Sequence, residues 1–336
     1  MLAPYRRAKL ASWGPCALFL SLAASGEACF AQSDFRQFMV SSPDVRGTTG
    51  AIYYRSDLQG HTDRICRDAV RFPNRLRLVD QEGGRVIRLP GRAAPPAASS
   101  ATVLGLPAFS SLTAKAANVM RLHCVQINLA PVADVSNSPH LIVRHRSYSP
   151  DPLVAGRYAS SFADSMRAEK IVPTWKHFPG HSGSIRTIEH AHPARRYFRY
   201  HNFEAALVQT ERPQLFWAAR SFRNQKPDLI MISQSVFASL APMPAVLLPE
   251  VLERARETQP NSLLITDDLS QLSLSDEEIL HLFRGVDLMM YSATNDVDRA
   301  QRVLQAYEAL GVIGAAEIAS KRNAMRRWRR IALPAR

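Results

Sequence analysis

Short apolar segments recur along the chain and alternate with longer segments of amphipathic character. The apolar segments predict strands at residues 35–41, 51–54, 77–79, 125–129, 171–175, 229–232, 263–266 and 286–291. The amphipathic segments predict helices at residues 112–123, 154–169, 202–209, 248–258, 276–283 and 297–310. Strands that alternate with helices are typical of parallel sheets, and eight such strands suit a closed barrel. The pattern therefore predicts an α/β fold, a single (β/α)₈ barrel of the TIM type.

The N-terminal segment differs from this pattern. Arg6, Arg7 and Lys9 precede an apolar run at 13–24, and small residues follow. Basic, apolar and small segments in this order are typical of a secretory signal, and the run is too short to span a bilayer. We expect a signal peptide at 1–31, a barrel domain at 32–336 and export to the periplasm. A buried N-terminal helix on a cytoplasmic protein is the alternative.

Composition and charge narrow the function classes. The 336 residues are 46% hydrophobic and 21% charged, so the chain can bury a large core. The net charge is +13, and much of the excess lies in the tail at 321–336. A basic face can bind polyanions, but a solvated terminal helix explains this tail as well, and no nucleic acid is expected as a partner. No other stretch is apolar enough for a membrane helix.

The cysteines leave two interpretations open. Removal of the signal leaves Cys66 and Cys124, which could pair in an oxidising compartment or remain buried thiols. No Cys/His cluster has the spacing of a zinc site, so no metal is expected.

Charged residues follow several of the predicted strands. Asp80, Asp134, Lys176, His177 and Asp267 each lie just beyond the end of an apolar segment. In a TIM-type barrel the carboxyl ends of the strands share one mouth, where active sites are built. We therefore expect these side chains to converge around a polyhydroxylated or charged ligand.

Five ordered motifs carry a family resemblance. The stretch Asp80-Gln81-Glu82-Gly83-Gly84-Arg85-Val86 resembles the signature of glycoside hydrolase family 3, in its β-N-acetylhexosaminidase branch. The other four are Asn-Leu-Ala-Pro-Val-Ala-Asp-Val at 128–135, Arg-Ser-Tyr at 146–148, Lys-His-Phe-Pro-Gly-His at 176–181 and Ile-Thr-Asp-Asp-Leu-Ser at 265–270. The resemblance covers residues 35 to 325, nearly all of the expected mature chain.

The resemblance implies a retaining exo-glycosidase that removes terminal β-linked N-acetylglucosamine without a cofactor, for instance from cell-wall fragments. Such enzymes need a carboxylate at the anomeric carbon and an acid that protonates the leaving oxygen. By resemblance Asp267 is the nucleophile and Asp268 supports it, although an Asp-Asp pair can also simply cap a helix. The implied substrate-binding residues are Asp80, Arg88, Arg146, Lys176 and His177. These charges could equally form a buried ion-pair network, and both roles are compatible.

The chain departs from the family where the acid/base residue is expected. Relatives carry an Asp-Ser-His tripeptide after the fifth strand, and the corresponding places here hold 187–189 or, shifted by one, 188–190. We therefore expect Glu189 or His190 to act as the acid/base. Where relatives have Thr-Ala-His after the sixth strand, this chain has Ile232-Ser233-Gln234. The alternatives are a sugar-binding barrel without catalysis and, less favoured, a polyanion-binding protein.

Overall fold

The computed structural model describes residues 32–89, 91–136, 140, 145–181, 185–189, 191–199, 207–209 and 228–333. Residues Ser33–Arg336 form one compact unit, which contains nearly all of the described residues. The predicted signal peptide and His190 lie outside the described residues.

Eight parallel strands close into a barrel, as the sequence pattern predicts. The barrel strands are β1 (Met39–Ser41), β2 (Gly50–Tyr53), β3 (Leu76–Val79), β4 (Ile127–Asn128), β5 (Val172–Phe178), β8 (Leu229–Ile232), β10 (Leu263–Asp268) and β11 (Leu288–Tyr291). Their order around the barrel is β1-β11-β10-β8-β5-β4-β3-β2. The first predicted strand is shorter than expected, because Phe35–Phe38 forms a 3₁₀ helix. The Asp34 carboxylate accepts a hydrogen bond from the Arg36 N–H (3.0 Å) and starts that turn.

Helices surround the barrel. They are α1 (Arg55–Leu58), α2 (Arg64–Arg71), α3 (Ala101–Leu104), α4 (Leu106–Leu122), α5 (Pro152–Ala168), α6 (Pro249–Thr258), α7 (Asp276–Gly285), α8 (Thr294–Ala309) and α9 (Ala315–Ala332). Five of them overlap the predicted helices. The helix predicted at 202–209 is wrong in its described part, because Leu207–Gln209 is a strand, β7.

The described residues also form a small three-stranded sheet that is separate from the barrel. It contains β6 (Ile185–Thr187), β7 and β9 (Val236–Phe237). Strand β7 pairs antiparallel with β6 and parallel with β9. Such non-local pairing overrides local helical periodicity, which explains the wrong prediction at 207–209.

Two layers of apolar side chains hold the barrel together. The inner layer consists of alternate strand residues such as Val40, Leu78, Ile127 and Ile265, and the outer layer lies between strands and helices. Helix α9 adds Met325 and Trp328 to the inner layer, and both are buried. The basic C-terminal segment is therefore anchored to the barrel core, while Arg326, Arg327 and Arg330 remain exposed.

A disulfide joins Cys66 in α2 to Cys124, two residues after α4, with a Cα–Cα distance of 5.1 Å. Of the two interpretations that the sequence left open, the structure has the paired one. Among the described residues, no helix combines the length and apolarity that crossing a bilayer requires.

Candidate active site

A pocket of about 330 Å³ opens at the carboxyl ends of the barrel strands. The sequence places its predicted substrate-binding residues and the predicted nucleophile on different strands or on the loops that follow them. The structure brings them to this one pocket: its lining includes Asp80, Arg88, Arg146, Lys176, His177 and Asp267. The convergence arises because parallel barrel strands all end at the same mouth.

Lys176 lies at the centre of a buried charge network. Its ammonium contacts the Asp80 carboxylate at 2.6 Å and the Glu82 carboxylate at 2.5 Å, and its side chain is only 3% exposed. Burial by itself lowers the pKa of Lys176, but the two carboxylates outweigh burial and raise it. Lys176 is therefore a permanently charged donor at the pocket wall.

Arg146 completes this network from the loop after β4. Its guanidinium donates two hydrogen bonds to Glu82, at 2.8 and 2.7 Å, in a bidentate arrangement. Burial raises the pKa of Glu82, but Arg146 and Lys176 together hold it well below its usual range. Although burial lowers the pKa of Arg146, Glu82 raises it overall. Asp80, Glu82, Lys176 and Arg146 thus form a fixed network of charges, of which all but the buried Glu82 line the pocket.

The loop that carries Arg88 is held by Gln81. The buried Gln81 amide donates to the carbonyls of Leu89 (2.7 Å) and Ala93 (2.9 Å) and accepts from the Arg88 N–H (2.7 Å). Gly83 has φ +93°, and a Cβ there would lie 2.5 Å from the Pro96 carbonyl oxygen. The loop geometry places the Arg88 guanidinium 3.0 Å from Asp80. The Gln and Gly of the motif are therefore needed for loop shape rather than for ligand contact.

Asp134 holds two histidines in the pocket wall. Its carboxylate accepts hydrogen bonds from the backbone N–H groups of His177 and His181 (3.0 Å each) and lies 2.6 Å from His177 Nδ1. Burial raises the pKa of Asp134, but the two histidines lower it below its usual range overall. These contacts make Asp134 a brace of the pocket wall, and it does not line the pocket itself.

His181 is a neutral member of the same cluster. Its ring stacks on that of His177 at 4.8 Å, and its Nε2 lies 3.0 Å from the Ser233 hydroxyl. Burial lowers the pKa of His181 to about 4. Asp134, His177 and His181 place potential metal-ligand atoms within 4.8 Å of one another. Hydrogen bonds to Asp134 account for that proximity.

Asp267 and Asp268 have different surroundings. Asp267 lies at the end of β10 on the pocket wall, is half-buried, and accepts a hydrogen bond from the Asp268 N–H (2.8 Å). Asp268 accepts from the backbone N–H groups of Ser270 (3.0 Å) and Ser292 (2.9 Å), and caps a short 3₁₀ helix. Burial raises the pKa of Asp268. The capping role considered for the pair thus falls to Asp268, and Asp267 remains open to a ligand.

The predicted acid/base residues are not brought to the pocket in the same way. Glu189 follows β6, its side chain is exposed, and it does not line the pocket. His190 lies outside the described residues. The Thr187 hydroxyl lies 2.9 Å from His140 Nε2. Thr187 corresponds to the aspartate of the Asp-Ser-His tripeptide in the register 187–189, and Ile188 does so in the register 188–190. The choice between Glu189 and His190 stays a prediction.

Sequence reasoning missed several residues in or next to the pocket. Glu82 contacts the pocket residues Lys176 and Arg146, and its place two residues after Asp80 in the first motif is the only local signal for that role. Tyr54 lines the pocket, whereas the sequence predicts it only as the last residue of a strand. Gln234 also lines the pocket and donates to the Gln271 amide oxygen at 2.8 Å, whereas in the sequence it is only a departure from the family motif.

Comparisons with known proteins agree with the motifs. The model of the glycosyl hydrolase family 3 N-terminal domain matches residues 57–323. A β-hexosaminidase of Mycobacterium tuberculosis, LpqI, is 36% identical over 107 residues, which is 31% of this chain and 28% of that protein. A β-hexosaminidase of Tolumonas auensis is 30% identical over 219 residues, which is 62% of this chain and 61% of that protein. The aligned regions thus span less than two thirds of these relatives.

Solved structures show the same fold. The structure of a family 3 β-N-acetylglucosaminidase from a Paenibacillus species superposes with a TM-score of 0.72 at 20% identity, covering 88% of this chain and 61% of that one. At this identity the likeness shows the fold alone. The family match extends over most of the chain and includes the strands that carry Asp80, Lys176 and Asp267. The chain therefore belongs to glycosyl hydrolase family 3.

Proposed function

We propose that this protein is a retaining exo-glycosidase that hydrolyses terminal β-linked N-acetylglucosamine, for instance in cell-wall fragments, with Asp267 as its nucleophile. The observation that carries this proposal is the shared pocket of Asp267 and the charged groups of the other strands. A pocket of about 330 Å³ is at the small end of ligand sites, which favours one terminal sugar over a long chain segment.

The pocket chemistry suits a pyranose. Sugar hydroxyls both donate and accept hydrogen bonds, and ionised groups make the stronger bonds. Asp80 offers carboxylate acceptors, whereas Lys176, Arg88 and Arg146 offer charged donors. His177 presents an imidazole fixed by Asp134. We assign these five as the substrate-binding set.

In the proposed reaction, the Asp267 carboxylate attacks the anomeric carbon while the glycosidic C–O bond breaks. The leaving oxygen takes a proton from the acid, and water then hydrolyses the glycosyl ester with the same group acting as base. Retaining mechanisms need the two carboxyl groups about 5–5.5 Å apart. Glu189 would have to approach the pocket with its loop to reach that separation, and His190 is the other candidate for the acid.

The names of relatives support the substrate. The two relatives above are β-hexosaminidases, and the Paenibacillus structure is that of a β-N-acetylglucosaminidase. Export to the periplasm is part of the proposal. The Cys66–Cys124 disulfide supports it, because disulfides persist in oxidising compartments. Retention in the cytoplasm is the alternative.

A second candidate function is a sugar-binding barrel with impaired catalysis. It is favoured by the exposed Glu189 and by the absence, in either register, of the aspartate that the Asp-Ser-His tripeptide of relatives carries. In that case the binding set and Asp267 would hold the sugar without efficient proton transfer to the leaving group.

Turnover of a chromogenic aryl β-N-acetylglucosaminide and calorimetric binding of N-acetylglucosamine separate the two candidates. For the enzyme we expect Asp267→Asn to lower kcat by about three orders of magnitude or more, with sugar affinity retained. Glu189→Gln and His190→Ala assign the acid. The variant that lacks the acid should lose less activity on the aryl glycoside, which has a good leaving group, than on a substrate with a poor leaving group. Binding without turnover in the parent would favour the second candidate. A parent protein that shows neither sugar binding nor turnover would refute both candidates.

A further inference from the structure

Tyr53 and Tyr54 are adjacent tyrosines at the end of β2 that face opposite sides of the barrel wall. Tyr53 is buried in the outer layer, and its hydroxyl donates to Asp68 in α2 at 2.9 Å. Tyr54 is half-buried, lines the active-site pocket and packs against the inner layer. The alternation of side chains along an extended segment explains this difference.

The hydroxyl of Tyr54 has no hydrogen-bond partner within the described part of the chain. The contribution of this residue to the start of α1 is made by its backbone N–H, which donates to Asp57 at 2.8 Å, and not by its side chain. Its ring lies 6.0 Å from the Arg88 guanidinium. The phenol therefore lines the pocket without a hydrogen bond from its hydroxyl to the described residues.

The carboxylates around this phenol already hold other donors. Asp80 contacts Lys176 and Arg88, one on each oxygen. Asp268 accepts two backbone N–H groups and Asp267 accepts one. Burial, followed by the charges of Asp268, Asp80 and Asp267, raises the pKa of Tyr54 well above its usual value, so the hydroxyl remains protonated. The pocket thus contains a neutral donor that the protein itself does not use.

We propose that Tyr54 is a further substrate-binding residue, whose hydroxyl donates a hydrogen bond to a hydroxyl of the bound sugar. A sugar hydroxyl can accept from Tyr54 and at the same time donate to a neighbouring carboxylate, whereas an apolar group in this place can do neither. The inference rests on the proposed function, since it concerns the same sugar in the same pocket.

The test compares Tyr54→Phe with its neighbour Tyr53→Phe, which removes the same atom from the outer face. We expect Tyr54→Phe to lower kcat/KM for an aryl β-N-acetylglucosaminide roughly three- to tenfold, the value of one neutral hydrogen bond, and to leave the melting temperature unchanged. Tyr53→Phe should leave kcat/KM unchanged and lower the melting temperature, because it loses the bond to Asp68.

Deoxy substrates identify the contact. Among the 3-, 4- and 6-deoxy analogues, one should lose no further activity when Tyr54→Phe is introduced, because that analogue lacks the hydroxyl that Tyr54 binds. If Tyr54→Phe stays within twofold of an active parent, or if every analogue loses equally, the role of Tyr54 is refuted. If the parent binds N-acetylglucosamine without turnover, the same comparison is made on its Kd. A parent that neither binds nor turns over refutes the proposed function instead.

Discussion

Replacing Glu82 by Gln removes one negative charge from the buried network and changes the shape of the side chain very little. The Glu82 carboxylate is 5% exposed, receives two hydrogen bonds from Arg146 and lies 2.5 Å from Lys176. In the variant, Lys176 keeps only Asp80, which it shares with Arg88, and Arg146 loses its bidentate carboxylate. The amide NH₂ would also face guanidinium and ammonium donors.

The expected loss of stability follows from that environment. Breaking a buried ion pair by removing one partner costs about 3–5 kcal/mol, because the remaining charge is uncompensated. We expect Glu82→Gln to reduce the free energy of unfolding by about 3 kcal/mol at pH 7. We also expect weaker binding of N-acetylglucosamine, because Lys176 and Arg146 lose the group that positions them.

Urea unfolding followed by fluorescence, from pH 7 down to pH 3, is the assay. Because the pKa of Glu82 is lowered in the native state, its stabilisation is present above the unfolded value of about 4.3 and is lost as the pH falls toward the native value. The difference between parent and variant should therefore be constant from pH 7 to about pH 5 and shrink below about pH 4.

Glu257→Gln is the matched control. Glu257 pairs with Arg254 at 3.0 Å, but the two side chains are 65% and 52% exposed. Exposed pairs contribute little, so we expect a loss well under 1 kcal/mol. If Glu82→Gln costs no more than this control, or if its effect is the same at pH 3 as at pH 7, the reasoning about the buried network is refuted.

Three further predictions concern other groups. Asp134→Asn should lower the affinity for N-acetylglucosamine about tenfold by calorimetry, because the His177 ring loses its anionic partner; unchanged affinity would contradict the positioning role of Asp134. Reduction of the Cys66–Cys124 bond, which closes a loop across a sequence separation of 58, should lower the free energy of unfolding by about 4 kcal/mol; denaturant curves that coincide with and without reductant would contradict this. Burial lowers the pKa of Lys321 to about 8, so the unfolded chain binds more protons between pH 8 and its ordinary value, and stability from this group should rise with pH across that range. Lys321→Met should abolish the rise, and a rise that persists in this variant would rule out Lys321 as its source.

The fold was predictable because its main signals are local patterns of apolar and polar residues along the chain. Each of the eight barrel strands coincides with an apolar segment, and the polar residues at their ends reach the same mouth, as parallel strands require. Errors arose at 35–38, where the Asp34 side chain starts a turn, and at 207–209, where pairing with β6 and β9 decides the conformation. Both depend on partners that periodicity does not contain.

The motifs determine which residue types are present at the pocket. The role of each residue depends on which other residues lie close to it in space. Glu82, two positions from Asp80, receives Arg146 from a loop 64 residues away, and this contact is invisible to local pattern. Asp267 and Asp268 are adjacent residues of the same type, so their sequence does not tell which of them caps a helix. Only the backbone N–H groups of Ser270 and Ser292 make Asp268 a cap and leave Asp267 facing the pocket.

By itself, the sequence determined the barrel, the family and the strand ends that carry charge, because these follow from periodicity and from residues adjacent in the chain. Only the tertiary structure decided that Lys176 is enclosed by two carboxylates, that Cys66 and Cys124 are paired, that Tyr54 faces the pocket while Tyr53 does not, and that Glu189 is exposed. The physical reason is that charge, burial and hydrogen bonding depend on neighbours in space, and closure of the barrel brings those neighbours from segments far apart in the chain.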